Sequence, residues 1–97
     1  MKFEWDEAKR RRNLERHGLD FRDAWRLCSL PVLSALDDRE DYDEERWLGM
    51  GFLDPLVVVI AFPQPTDGII RVISMRKALT HEREHYEQHL RDQLGQA

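Results

Sequence analysis

The stretch ERWLGMGFLDPLVVVIAF, Glu45 to Phe62, decides the fold. In its first half, Trp47, Gly49 and Gly51 alternate with Leu48, Met50 and Phe52. That period of two suits a strand, and the glycines mark places where another backbone comes close. In its second half LVVVIAF, Leu56 to Phe62, is continuous and rich in β-branched residues, so it reads as a central strand buried on both faces. Downstream, FPQPTDG is turn chemistry, and IIRVISM, Ile69 to Met75, completes a hairpin. Upstream, PVLSAL is a further short strand candidate, separated from Glu45 by an acidic loop.

Helical patterns flank this β-rich centre. Phe3 to Trp5 is an extended lead-in, after which Asp6 caps a helix from Glu7 to His17 that Gly18 stops. On it Lys9, Asn13 and His17 are four residues apart and share one face. A second helix follows Asp20, with Phe21, Ala24, Trp25 and Cys28 as its apolar stripe, and Pro31 ends it. Cys28 reads as core there. The last segment, Thr80 to Gly95, is helical with Leu79, Arg83, Tyr86, Leu90 and Leu94 along one side. The order α-α-β-β-β-β-α predicts one α+β domain over residues 1–97: two N-terminal helices, a small four-stranded antiparallel sheet and a C-terminal helix.

Composition narrows the setting. Hydrophobic residues are 41% and charged residues 35%, as in a small domain with a heavily charged surface. A single cysteine forms no internal disulfide, the longest apolar run is far too short to span a bilayer, and MKFEWDE lacks the apolar core of a signal peptide. A cytoplasmic protein without a membrane partner is expected. The net charge of −4 hides an uneven distribution: DDREDYDEER, Asp37 to Arg46, holds seven acidic residues and two arginines. The remainder has 12 acidic and 13 basic residues, with a dense run KRRR at Lys9 to Arg12. That run reads either as a solvated helix face or as part of a basic cleft.

HEREH, His81 to His85, matches the zinc-protease pattern H-E-x-x-H, in which two histidines on one helix face hold the metal and Glu82 acts as base. Catalytic zinc usually takes three protein ligands, and the longer metzincin pattern fails after His85, where YEQH follows. The row His81, His85 and His89 suits adventitious binding of a divalent ion better than a peptidase site. No metal site and no cofactor are expected.

Three blocks in order carry a resemblance: FEWDEAK with NL and HG (Phe3 to Gly18), ERWLGMG (Glu45 to Gly51), and RVISMRKA with HEREHYE (Arg71 to Glu87). In register, with an acidic loop before the ERW strand, they resemble the BrnT family of bacterial toxins. The resemblance implies a RelE-like fold, a ribonuclease activity, and a BrnA-like antitoxin with a ribbon-helix-helix domain. That antitoxin would neutralise the toxin, and operator DNA would be contacted only through it. HEREH occupies the place where members commonly carry RRERR-like residues, so this helix is less cationic at neutral pH.

RNA cleavage without a metal needs a 2′-hydroxyl deprotonated, a pentacovalent phosphate stabilised and the 5′-oxygen protonated. Arginine suits the second task because its planar fork pairs with two phosphate oxygens. Arg46 and Arg76 are therefore expected to stabilise the phosphate and Lys9 or His17 to transfer protons, with Tyr86 a further proton or stacking partner. Arg12, Arg71, Lys77 and Arg83 are expected to bind RNA. Each has a plainer alternative: His17 as a cation at a helix end, Tyr86 as core, Arg71 paired with a carboxylate. Trp5, Trp25 and Trp47 can stack on bases, but packing is expected for at least two of them. The competing reading of the whole chain is a non-catalytic module that keeps the fold and the partner.

Overall fold

The computed structural model describes residues 2–28, 33–36, 46–63 and 65–95. Along the chain come β1 (Lys2–Glu4), α1 (Glu7–His17), a 3-10 turn (Phe21–Asp23), α2 (Ala24–Cys28), β2 (Leu33–Leu36) and β3 (Arg46–Leu53). They are followed by β4 (Leu56–Pro63), β5 (Ile69–Arg71), β6 (Ser74–Lys77) and α3 (Thr80–Gly95). Most of the acidic loop, residues 37–45, and Pro31 lie outside the described residues.

Local chemistry sets the ends of α1. Asp6 is in extended backbone and its carboxylate accepts the Lys9 backbone N–H at 3.1 Å, satisfying a donor that the first helical turn leaves open. Gly18, at φ 70°, donates its N–H to the Leu14 carbonyl and closes the helix in the left-handed conformation that glycine adopts without strain.

The expected single sheet of four strands is corrected to six strands in two sheets among the described residues. An antiparallel sheet runs in the order β2-β3-β4-β6, and a separate parallel pair joins β1 to β5. The chain expected as one strand, Ile69 to Met75, changes sheets midway. Val72 donates its N–H to the Glu4 carbonyl at 2.8 Å, and the next residue, Ile73, donates to the Ala61 carbonyl at 2.9 Å. Before that switch, Asp67 (φ 54°) and Gly68 (φ 73°) form a two-residue turn closed by paired hydrogen bonds between Thr66 and Ile69. Positive φ at both central residues matches the right-handed twist of the flanking chain.

The core lies between the helices and one face of the larger sheet. Val58, Ile60 and Phe62 of β4 and Met75 of β6 meet Leu19, Phe21, Ala24 and Leu27, with Trp5 and Trp47 packed at the margin. The expected stripe on the second helix is corrected: Trp25 is 60% exposed, and Leu27 is buried. The helix opens as a 3-10 turn, where residues three apart eclipse, so Phe21, Ala24 and Leu27 point inward together. On α3, Tyr86 is buried as expected of its stripe, but Leu79, just before the helix, is 52% exposed. Glycine sets the approach of α2, because a Cβ on Gly51 would fall 2.9 Å from Leu27 Cδ2 and 3.4 Å from its Cα.

One side chain fixes α1 against the sheet. Asn13, 7% exposed, donates from Nδ2 to the Leu19 carbonyl at 3.0 Å and accepts the Met75 N–H at Oδ1 at 3.1 Å. β6 is an edge strand, so the Met75 N–H has no further strand to pair with, and the Asn13 amide takes that place.

Substitutions at Asn13 and Gly51 test these contacts through stability. Asn13→Ala strands a buried donor and a buried acceptor and lowers stability by about 2–4 kcal/mol, read as a lower urea midpoint. Asn13→Asp keeps the acceptor but turns an oxygen toward the Leu19 carbonyl, and loses at least as much. Gly51→Ala crowds Leu27 and costs about 1–3 kcal/mol; adding Leu27→Ala recovers part of that crowding term, a non-additivity that a double-mutant cycle measures.

Candidate active site

The four consecutive cations Lys9 to Arg12 do not form one patch, because successive helical residues point about 100° apart. Arg10 is turned back, with ion pairs to Glu7 and to Asp20 at 3.2 Å. Asp20 in turn accepts the Arg22 backbone N–H at 2.9 Å at the start of the 3-10 turn, and hydrogen bonds from Arg22 hold its carboxyl down to about 2. Arg11 is exposed beside Glu7. Lys9 and Arg12 point instead to the side that Asn13 fixes.

There they line a groove of about 290 Å³ with Asn13, Arg16, His17, Ile73 and Ser74. Helix spacing builds one wall: residues 9, 12, 13, 16 and 17 recur at intervals of three and four on one face. The other wall is the joint where the chain enters β6. The groove thus carries three permanent cations and one histidine. His17 is half-buried, and burial holds its imidazole below the ordinary value, with the charges of Arg16 and then Arg76 acting in the same direction. A neutral imidazole among cations is suited to accept a proton.

Arg76 does not line the groove but is near enough to His17 for its charge to be felt there. Its partner is Glu82 of α3: Nη1 donates to Oε1 at 2.7 Å and Nη2 to Oε2 at 2.9 Å. Glu82 Oε1 also accepts the Leu79 backbone N–H at 2.8 Å, the reciprocal bond of a helix capping box. The Arg76 hydrogen bonds first, then the Leu79 N–H, hold the Glu82 carboxyl down to about 2 against the cost of burial.

This geometry overturns the reading of HEREH as a protease motif. Its glutamate is a partner of Arg76 and a helix cap, with both oxygens engaged, so it is not poised as a base over a metal. His81 and His85 are exposed on the helix, and among the described residues no group of three or more His, Cys, Asp or Glu is arranged to hold a metal ion.

The remaining expected residues are dispersed. In the register, Arg46 pairs with Pro63, Ser74 with Ala61 and Arg76 with Val59, so all three cross-strand positions lie on the sheet face opposite the core. Arg46 is half-buried there, two strands away from β6. Arg71 lies apart, paired with Glu4 of β1 at 3.5 Å beside a separate recess lined by Thr66 and Asp67; the acidic loop, from which a carboxylate partner was expected, lies outside the described residues. Lys77 is exposed at the end of β6, and Arg83 is exposed with Glu87 at 3.8 Å. Tyr86 is 1% exposed, and burial pushes its hydroxyl pKa up, which places it among packing groups. Arg16 and Ser74 were missed in the sequence. The recurrence of Lys9, Arg12 and Arg16 at helical spacing is a signal that finds the first, whereas only the fold brings Ser74 to α1.

These features define a small α+β domain with a cationic helix laid along the edge of an antiparallel sheet. A family model for the ribonuclease toxin BrnT of type II toxin-antitoxin systems matches residues 5–82, and the chain belongs to that family. Among solved structures, the crystal structure of the Brucella abortus ribonuclease toxin BrnT is similar at 31% identity and a TM-score of 0.60, covering 82% of this chain and 99% of that one. No curated protein matches the chain. No described helix is long and apolar enough to cross a membrane.

The Arg76–Glu82 pair has a pH signature. Because the folded carboxyl lies near 2 and the ordinary value is 4.5, its stabilisation is complete above about pH 4.5 and fades as pH falls toward 2. Glu82→Gln, which does not titrate, is expected to be less stable than the parent by about 1–3 kcal/mol at pH 6. That gap closes progressively from pH 4.5 to 3 in urea titrations; a gap constant with pH contradicts the assignment.

Proposed function

We propose that the chain is an endoribonuclease that cleaves RNA without a metal ion, inhibits translation in the cytoplasm and is neutralised by a BrnA-like ribbon-helix-helix antitoxin. The observation that carries this reading is the groove along α1, where a half-buried His17 of lowered proton affinity sits among Lys9, Arg12 and Arg16. His17 accepts the 2′-hydroxyl proton, and the freed oxygen attacks phosphorus. The bond to the 5′-oxygen breaks, leaving a 2′,3′-cyclic phosphate, and Lys9 delivers the proton to the leaving oxygen. Arg76 stabilises the pentacovalent phosphate through directed hydrogen bonds, with Arg46 on the same sheet face, while Arg12 and Arg16 hold the backbone. Lys77 and Arg83 extend the RNA path. Tyr86 and Arg71 stand outside this chemistry, one because it is buried and the other because it lies beside another recess. The antitoxin covers the same groove, and operator DNA is reached only through it.

Growth arrest on expression in a bacterium, lost in Arg76→Ala and in His17→Ala, is the expected result, together with RNA cleavage that persists in EDTA. A wild type that arrests nothing and cleaves nothing favours the non-catalytic binding module. The groups acting on His17 predict a second outcome. Its folded pKa is depressed, so the neutral form prevails at pH 7 and kcat/KM falls as pH drops through a value below 6.5. Replacing either neighbouring cation, Arg16→Gln or Arg76→Gln, moves the imidazole titration upward in proton NMR, while Lys9 and Arg12 remain as the other charges on that groove.

A further inference from the structure

The five N–H donors of Arg76 are unequally used. Nη1 donates to Glu82 Oε1 at 2.7 Å and to the Lys77 carbonyl at 3.4 Å, and Nη2 donates to Glu82 Oε2 at 2.9 Å. Those bonds close the outer end of the fork. The adjacent edge, made of the Nε–H and the second N–H of Nη2, donates to no atom of the described residues. Two parallel donors on one planar edge match two oxygens of a phosphate as well as the outer end matches a carboxylate.

Glu82 is itself held firmly. Its side chain is 12% exposed, and Oε1 is tied to the Leu79 backbone N–H at 2.8 Å, so the first turn of α3 sets its direction. An arginine left alone spreads over many rotamers, and a side chain ordered in advance loses less entropy when it grips a ligand. The pair is electrically neutral, so it contributes direction, while Lys9, Arg12 and Arg16 supply the attractive charge.

We propose that Glu82 is a positioning residue, holding the Arg76 fork by its outer end so that the Nε/Nη2 edge is the one offered to a phosphate of the substrate. This rests on the ribonuclease reading for its biological meaning but not for its geometry. The opposite role, a carboxylate that blocks Arg76 and must be displaced by substrate, predicts opposite signs.

The test follows the Arg76 Nε–H resonance in full-length protein titrated with inorganic phosphate, alongside steady-state RNA cleavage, in wild type, Glu82→Gln and Arg76→Lys. Far-UV circular dichroism confirms that each variant is folded. In wild type the Nε–H signal is expected to shift on adding phosphate, and Glu82→Gln weakens that response several-fold. In cleavage, Glu82→Gln lowers kcat by about tenfold or more while KM is unchanged or smaller, since orientation and not attraction is lost. Arg76→Lys, which keeps the charge without the planar edge, shows the same split. An equal or stronger phosphate response in Glu82→Gln, or an equal or higher kcat, overturns the proposal in favour of a blocking carboxylate. Wild type that cleaves no RNA but shows the phosphate response and its loss in Glu82→Gln refutes the ribonuclease reading and leaves the positioning role standing. Absence of the response in wild type refutes the positioning role whatever the cleavage activity.

Discussion

The Asn13 amide is the join on which the architecture depends. It takes one hydrogen bond from the backbone of β6 and gives one to the chain leaving α1, largely buried at the base of the groove. A buried amide with both partners fixes distance and direction, whereas apolar contacts alone allow a helix to slide. Here it also completes the exposed edge of the four-stranded sheet, so a helix stands where another strand would otherwise add. The groove between α1 and the start of β6 exists because that helix is pinned along the edge and not packed flat on the face.

Electrostatics then sorts the cations of this acidic chain into separate tasks. Arg10 is taken up by Glu7 within α1 and by Asp20, which ties the helix to the start of the 3-10 turn. Arg71 answers Glu4 across the parallel pair, and Arg76 answers Glu82 at the start of α3. Lys9, Arg12 and Arg16 line the groove, close to a histidine that burial and its neighbours keep neutral. A net charge of −4 is therefore compatible with a locally cationic surface for a polyanion.

Much of the fold was legible where a local signal had a local cause. Asp6 and Gly18 bounded α1 because cap chemistry acts within a few residues, and the alternation of Trp47 to Phe52 beside the apolar run after it marked the central hairpin. The glycine at position 51 was readable as a close approach, and Leu27 is what approaches. Two errors had longer-range causes. Ile69 to Met75 looked like one strand, yet its halves pair with β1 and with β4, partners distant in sequence. Trp25 looked like core because a helix of period 3.6 was assumed, and the 3-10 opening turned the period to three.

The site divides the same way. By itself the sequence determined the family frame and the face shared by Lys9, Asn13 and His17, because helix periods fix such relations within a segment; Arg76 lies within β6 and not beyond the last strand. Only the tertiary structure decided that Asn13 is a structural join, that Ser74 faces α1, and that Glu82 belongs to Arg76. Those facts depend on which distant segments meet. In HEREH, the spacing of the histidines followed from helix geometry alone, whereas the role of the glutamate followed from the guanidinium that folding set against it.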